Sequence, residues 1–171
     1  TFNFDVRTIQ LAYSLDWSGW STPDPDDYAR AEFSGTINTS DLADSAVIRS
    51  LIAVSGHAVV WQDSPDGLTH HFTIRDIARK DKAYALDVQL GEQVATADNK
   101  TYALNVPAVT DFQVFDLFTS SGDDFYFTLN FSDPIDPAQN LAGLIKIDDY
   151  LETIRTEVNG NNIIVYPASR I

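Results

Sequence analysis

The sequence predicts an all-β protein made of two tandem antiparallel β-sandwiches, the second of them incomplete. Three observations predict it. Apolar residues recur at every second position in short runs, as at Phe125, Phe127, Leu129 and Phe131, which is the period of a strand with one buried face. Turn-forming residues separate these runs at the close intervals of an antiparallel sandwich. The pattern also repeats. Leu51-Ile52 aligns with Leu144-Ile145 and Leu42 with Ile135, both at an offset of 93 (144 − 51), while Phe33 and Ile37 align with Phe127 and Phe131 at 94 (127 − 33). Downstream, Asp66-Gly67 falls on Asn159-Gly160 and Phe72 on Val165 at 93 (160 − 67). Both dipeptides tolerate positive φ and suit two-residue hairpin turns.

Taken in order, residues 2–13 alternate Phe2, Phe4 and Val6, then slip at Ile9 and Leu11, and predict an irregular first strand. Residues 14–28 concentrate Ser, Gly, Pro and Asp and read as a loop that carries Trp17 and Trp20. Residues 30–39 put Ala31, Phe33, Gly35 and Ile37 on one strand face. Residues 41–49 suit a short helical turn capped by Ser40 or Asp41. Strands follow over 51–54, 57–62, 69–77, 83–90 and 101–106, with a turn at 63–67. Residues 107–110 form a short junction, giving domains 1–107 and 108–171 set end to end with limited freedom.

The second copy starts at Phe112, with a loop over 119–124 and a strand over 125–131. SDPIDP breaks that strand, because Pro134 and Pro137 cannot donate to a ladder. A strand over 144–147 and a hairpin over 153–165 follow, and Ile171 falls on Ala78. Counterparts of 83–90 and 101–106 are then absent. About two strands are missing, which exposes a sheet edge and part of a core. Another chain, or a continuation of a parent polypeptide, is expected to cover them. Phe131 is expected to be buried, so that Phe131→Ala costs about 3–5 kcal/mol.

Composition bounds the function. The chain has 171 residues, no Cys and no Met. Disulfides, thiol nucleophiles and cysteine metal sites are thereby excluded. Its formal charge is −14, from 25 acidic and 11 basic residues. That charge repels a phosphate backbone and anionic lipid, so nucleic acid is not an expected partner. No run reaches the roughly 20 apolar residues of a membrane helix. Thr1 stands where an initiator Met would, which predicts a processed or excised piece.

Few residues suggest chemistry. His57, His70 and His71 are the three histidines, and His70 and His71 point to opposite faces of one strand, so no shared metal is expected. Asp24, Asp26 and Asp27, Asp123 and Asp124, and Asp133 and Asp136 form acidic clusters without the spacing of a calcium loop, and read as solvated loop acids. No nucleophile elbow, P-loop or dinucleotide fingerprint occurs, so no catalytic residue and no cofactor are expected. Trp17 and Trp20 are the possible ligand contacts, by stacking on sugar rings; the alternative is that they close the end of a sandwich. Sequons stand at Asn38, Asn99 and Asn130 and matter only on a eukaryotic secretory route.

The segment FYFTLNFSDPIDPAQNLAGLIKI, with the hairpin that ends NNIIVYPASRI, resembles the N-terminal region of bacterial alpha-2-macroglobulins of the Bacteroidetes type. The residues that carry the resemblance are 130–137 (NFSDPIDP), Gly143-Leu144-Ile145, and 164–169 (IVYPAS). THHFTIRDIARKDKAYALDVQL, residues 69–90, is also similar to that family's first domain. The resemblance implies two Ig-like domains acting as non-catalytic scaffold of a protease-trapping inhibitor in the bacterial envelope. Its implied partners are the other domains of the parent chain, with proteases as the parent's targets. A lipid anchor in the periplasm is also implied, although the anchoring Cys and the Cys-Gln thioester pair are not in this chain. The rival expectations are a cell-surface adhesion or carbohydrate-binding module using Trp17 and Trp20, and an accessory domain of a polysaccharide-degrading enzyme.

Overall fold

A computed structural model describes residues 10–96, 99–120 and 125–169. Its elements in chain order are β1 (Tyr13–Ser21), β2 (Arg30–Thr39), α1 (Ser45–Ser50), β3 (Ile52–Val54), β4 (Val59–Asp63), β5 (Thr69–Ala78), β6 (Tyr84–Leu90), β7 (Thr101–Val106), β8 (Val114–Thr119), β9 (Phe127–Phe131), β10 (Ile154–Asn159) and β11 (Asn162–Pro167). The protein is nearly all β, and every ladder among the described residues is antiparallel.

Three sheets result: β1-β2-β5-β4, β3-β6-β7 and β10-β11-β9-β8. The first two enclose one core. Phe33 and Ile37 of β2, Phe72 and Ile74 of β5, Val88 of β6 and Leu104 of β7 are all fully buried in it. The inward row of β2 includes Gly35, and a Cβ there would meet the Phe72 ring at 2.5 Å, so the glycine makes room for the aromatic ring. The third sheet has a smaller core of its own around Ile135, Ile163 and Val165. Reversed, its order is β8-β9-β11-β10, the order of β1-β2-β5-β4.

Several expectations need correction. The Phe2, Phe4 and Val6 part of the predicted first strand lies outside the described residues. The predicted loop over 14–28 is mostly strand β1, and only 22–29 is loop. Leu15 and Trp17 alternate inward, and a register shift between Trp17 and Gly19 lets Trp20 point inward too. The serine and glycine that read as turn residues belong to this bulge, where Gly19 takes φ +103°. The helix cap is Asp44, whose Oδ1 accepts from Ala46 N at 2.7 Å, rather than Ser40 or Asp41.

Residues 144–147 are not a strand. Ile145 and Ile147 still face inward and Lys146 outward. In the first unit the same pattern at β3 is held by its ladder with β6. No described strand of the second unit takes β6's place, so the ladder that would define a strand is missing.

The turns of the two hairpins also differ. β10 and β11 are joined by the two residues Gly160 and Asn161, whereas β4 and β5 are joined by 64–68. The ladders therefore put Val165 where Ile74 sits, not Phe72: Val165 pairs with Phe127 as Ile74 pairs with Phe33. A shift of two residues keeps the same face inward, which is why the sequence alignment still matched apolar to apolar.

Candidate functional site

The most elaborate polar construction lies where the two units meet, and it is centred on Arg79. The residue directly follows β5, and its N–H donates to Ala29 O at 2.9 Å. Its side chain is fully buried. The guanidinium reaches Tyr28 O (3.3 Å) and Pro107 O (3.4 Å) in the first unit and at its exit. It also reaches Ala108 O (2.7 Å), Asp111 O (3.4 Å) and Ser132 O (3.2 Å). Both carboxylate oxygens of Asp133 accept from it, Oδ2 at 3.2 Å. A planar five-donor fork suits this mixed set of carbonyls and a bidentate carboxylate.

Ser132 completes the clasp. Its Oγ accepts from Gln113 N at 3.1 Å and lies 2.9 Å from Asp111 O and 2.7 Å from Asp133 Oδ2. The serine and aspartate of the NFSDP segment thus tie the start of the second unit to the end of β5. Asp133 is therefore a buried ion-pair partner and not a solvated loop acid. A lone arginine after a strand gave no sign of this in the sequence, because Arg79 and Asp133 are brought together only by the fold.

Two asparagines extend the junction along β1. Asn130 Oδ1 accepts from Trp20 N at 2.8 Å, and its Nδ2 donates to Trp20 O and Asn162 Oδ1, each at 2.8 Å. Asn161 Oδ1 accepts from Thr22 N at 3.0 Å, and its Nδ2 donates to Phe131 O at 3.0 Å. Side-chain amides here pair with the free backbone edge of β1, an edge that would otherwise be open to other strands. A Cβ on Gly19 would lie 2.8 Å from Asn130 Oδ1, so the close approach also needs that glycine. Asn130 is 1% exposed. Its sequon offers no accessible acceptor in the folded chain.

Trp17 and Trp20 are placed by β1 in the interior. Trp20 is 1% exposed and stacks on Phe115 of the second unit at 5.4 Å between centroids. Trp17 stacks on Tyr102 at 4.5 Å and packs against Phe33 and Phe72. Their ring faces are taken up by other aromatic rings of the core, and Trp20 helps join the two units.

The histidines are ordinary strand residues. His70 is buried and its Nδ1 lies 2.8 Å from Asp63 Oδ1, whereas His71 is exposed and meets Thr36 Oγ1. Arg49 of α1 donates to both Asp63 oxygens, at 3.1 and 2.6 Å. Arg49 first and His70 second hold the Asp63 carboxyl at about 2, below the usual 3.8. Asp24 and Asp27 accept from nearby backbone N–H groups, and Asp136 does the same. Asp123 and Asp124 lie outside the described residues. Among the described residues no group of three His, Asp or Glu is placed to hold a metal. No described helix is long and apolar enough to cross a membrane.

Comparisons with known proteins add no relationship: no family model matches the chain, and neither a curated protein nor a solved structure matches it.

Proposed function

We propose that the chain is a rigid, non-catalytic scaffold of two tandem Ig-like β-sandwich domains, residues 1–107 and 108–171, within a protease-trapping, alpha-2-macroglobulin-like protein of the bacterial envelope. The Arg79–Ser132–Asp133 clasp carries this reading. Its ion pair, whose arginine is fully buried, fixes one unit against the other, which is what a spacer between moving parts requires. The strand orders β1-β2-β5-β4 and β3-β6-β7 support the Ig-like part, since a seven-stranded Ig sandwich has this partition and order. Two of the clasp residues, Ser132 and Asp133, also lie inside the NFSDPIDP segment on which the family resemblance rests.

The test is made on the parent protein. Incubated with an active protease, it should shield that protease from a large protein inhibitor while cleavage of a small peptide substrate continues. A parent in which both are unaffected would defeat the trapping role. A chain in which the two units tumble independently by NMR relaxation would defeat the rigid-scaffold role.

A further inference from the structure

We propose that Asn159-Gly160, at the tip of the β10–β11 hairpin, is a site of spontaneous deamidation and backbone isomerisation, and that its isoaspartyl product loosens the contact between the two units. The inference does not depend on the protease-inhibitor reading.

The chain has two Asx-Gly pairs, Asp66-Gly67 and Asn159-Gly160, one in the hairpin turn of each unit. Their surroundings are opposite. In the first unit, Gly67 N donates to Ser64 O at 3.0 Å. Asp66 Oδ1 accepts from Leu68 N at 3.0 Å and from Ser64 Oγ. A Cβ on Gly67 would lie 2.9 Å from Leu42 Cδ2. Both reacting groups of this pair are held, and the turn is packed. In the second unit, Asn159 and Gly160 are exposed. Neither the Asn159 carboxamide nor the Gly160 N–H makes a hydrogen bond among the described residues. Gly160 takes φ +57°, and nothing lies within 4 Å of a Cβ built on it. Glycine after asparagine puts no side chain in the path of attack, and asparagine is among the thermally labile residues.

The reaction consumes only water. Gly160 N, on losing its proton to solvent, attacks Asn159 Cγ. A C–N bond forms and the carboxamide nitrogen leaves as ammonia, which closes a succinimide ring. Water then opens the ring at one of its two carbonyls. Addition at Cγ breaks the new bond and leaves an aspartyl residue. Addition at the main-chain carbonyl breaks the original peptide bond and leaves an isoaspartyl residue, whose main chain runs through the side-chain carbons.

The isoaspartyl product adds one atom to the main chain at a two-residue turn, and that turn is built into the junction. Gly160 O accepts from Ile135 N at 2.9 Å, and Asn161 O accepts from Phe131 N at 2.8 Å. The Asn161 side chain is buried and reaches Thr22 of the first unit. Its Oδ1 accepts from Thr22 N at 3.0 Å, and its Nδ2 donates to Thr22 Oγ1 at 3.2 Å. The pairing of Asn159 with Asn162 sets where this side chain stands, because hairpin register depends on loop length. An exposed reaction is thereby carried to a buried contact between the units.

The experiment incubates the 171-residue chain in mildly alkaline buffer and follows it by peptide mapping and by methylation with an isoaspartyl methyltransferase. Asn159 should convert at least tenfold faster than the exposed Asn99 and Asn140, and its product should accept the methyl group. Asp66→Asn puts the same Asn-Gly pair in the held turn of the first unit, where conversion should be at least tenfold slower than at Asn159. In the purified isoaspartyl form, amide hydrogen exchange at Thr22 should speed at least tenfold. Freshly prepared Asn159→Asp, which carries the charge without the extra main-chain atom, should exchange like the fresh chain, and so should Asn159→Gln after the same incubation. Conversion at Asn159 no faster than at Asn140 would overturn the proposal. So would equal conversion of both Asn-Gly pairs in the Asp66→Asn chain, or an isoaspartyl form whose Thr22 exchange is unchanged.

Discussion

The two units contain the same four-stranded antiparallel sheet and differ in what lies across it. In the first, β3-β6-β7 closes the inner face, and the core holds buried side chains from both layers. In the second, the face is lined by Ile135, Leu141 and residues 145–147, and of its core only Ile135, Ile163 and Val165 are buried. The sheet order does not depend on the covering layer, whereas burial does. A strand likewise needs a partner: the pattern of 52–54 and 145–147 is alike, but only the former has a ladder. Alternation decides which way side chains point, and hydrogen-bond partners decide whether a segment is a strand.

Truncating one inward phenylalanine in each unit sharpens this comparison most. Phe33 is 1% exposed in the closed core, so Phe33→Ala should cost about 3–5 kcal/mol. Phe131, at the place of Ile37, is only partly buried and stacks on the exposed Phe112 at 5.3 Å. The expectation of a buried Phe131 is therefore corrected, and Phe131→Ala should cost less than about 2 kcal/mol, since part of the ring is already exposed. Urea denaturation of both variants measures the difference. Equal losses would mean that the second face is covered in solution.

The clasp should matter nearly as much. Removing one partner of a buried ion pair strands the other charge, so Arg79→Met or Asp133→Asn should each cost about 3–5 kcal/mol. The double variant Arg79→Met, Asp133→Asn should be more stable than the sum of the single losses predicts, because no charge is then left unpaired. Denaturation of the single variants should also split into two transitions, the second unit melting first. A single unchanged transition would show that the units are coupled elsewhere, through Trp20 and Phe115. Asn130→Ala comes next, at about 1–3 kcal/mol, as it leaves the Trp20 N–H and C=O buried without partners. A near-neutral result by the same denaturation assay would mean that water replaces the amide.

Much of this was legible in the sequence. The alternation over 30–39, 83–90 and 101–106 located β2, β6 and β7 to within a residue, since a half-buried strand imposes a period of two. The repeat offset located β9 and the β10–β11 hairpin, and among the described residues no strand of the second unit takes the place of β6 or β7. β1 was misread because a bulge adds one residue and breaks the period, and because Ser18-Gly19 looks like a turn. Residues 144–147 were misread because periodicity carries no information about a partner strand. The clasp was not legible at all: Arg79 and Asp133 are 54 residues apart, and their pairing follows from how the units dock.

The smallest expected effect is at Asp63, and it separates the units by pH. Its carboxyl titrates at about 2 in the folded chain against 3.8 without its partners, Arg49 first and His70 second. A carboxyl whose folded-state value is depressed binds its proton more readily when unfolded. Its contribution is therefore fully present above about pH 4 and is lost as pH falls toward 2. The side chain is 36% exposed, so solvent screening limits the contribution to about 1 kcal/mol or less. Asp63→Asn should lower first-unit stability slightly at pH 7 and flatten its dependence between pH 4 and 2. The second unit, followed through the NMR signals of Ile163 and Val165, should not respond. An equal response in both units would mean that the clasp, and not this surface pair, sets the acid sensitivity of the whole chain.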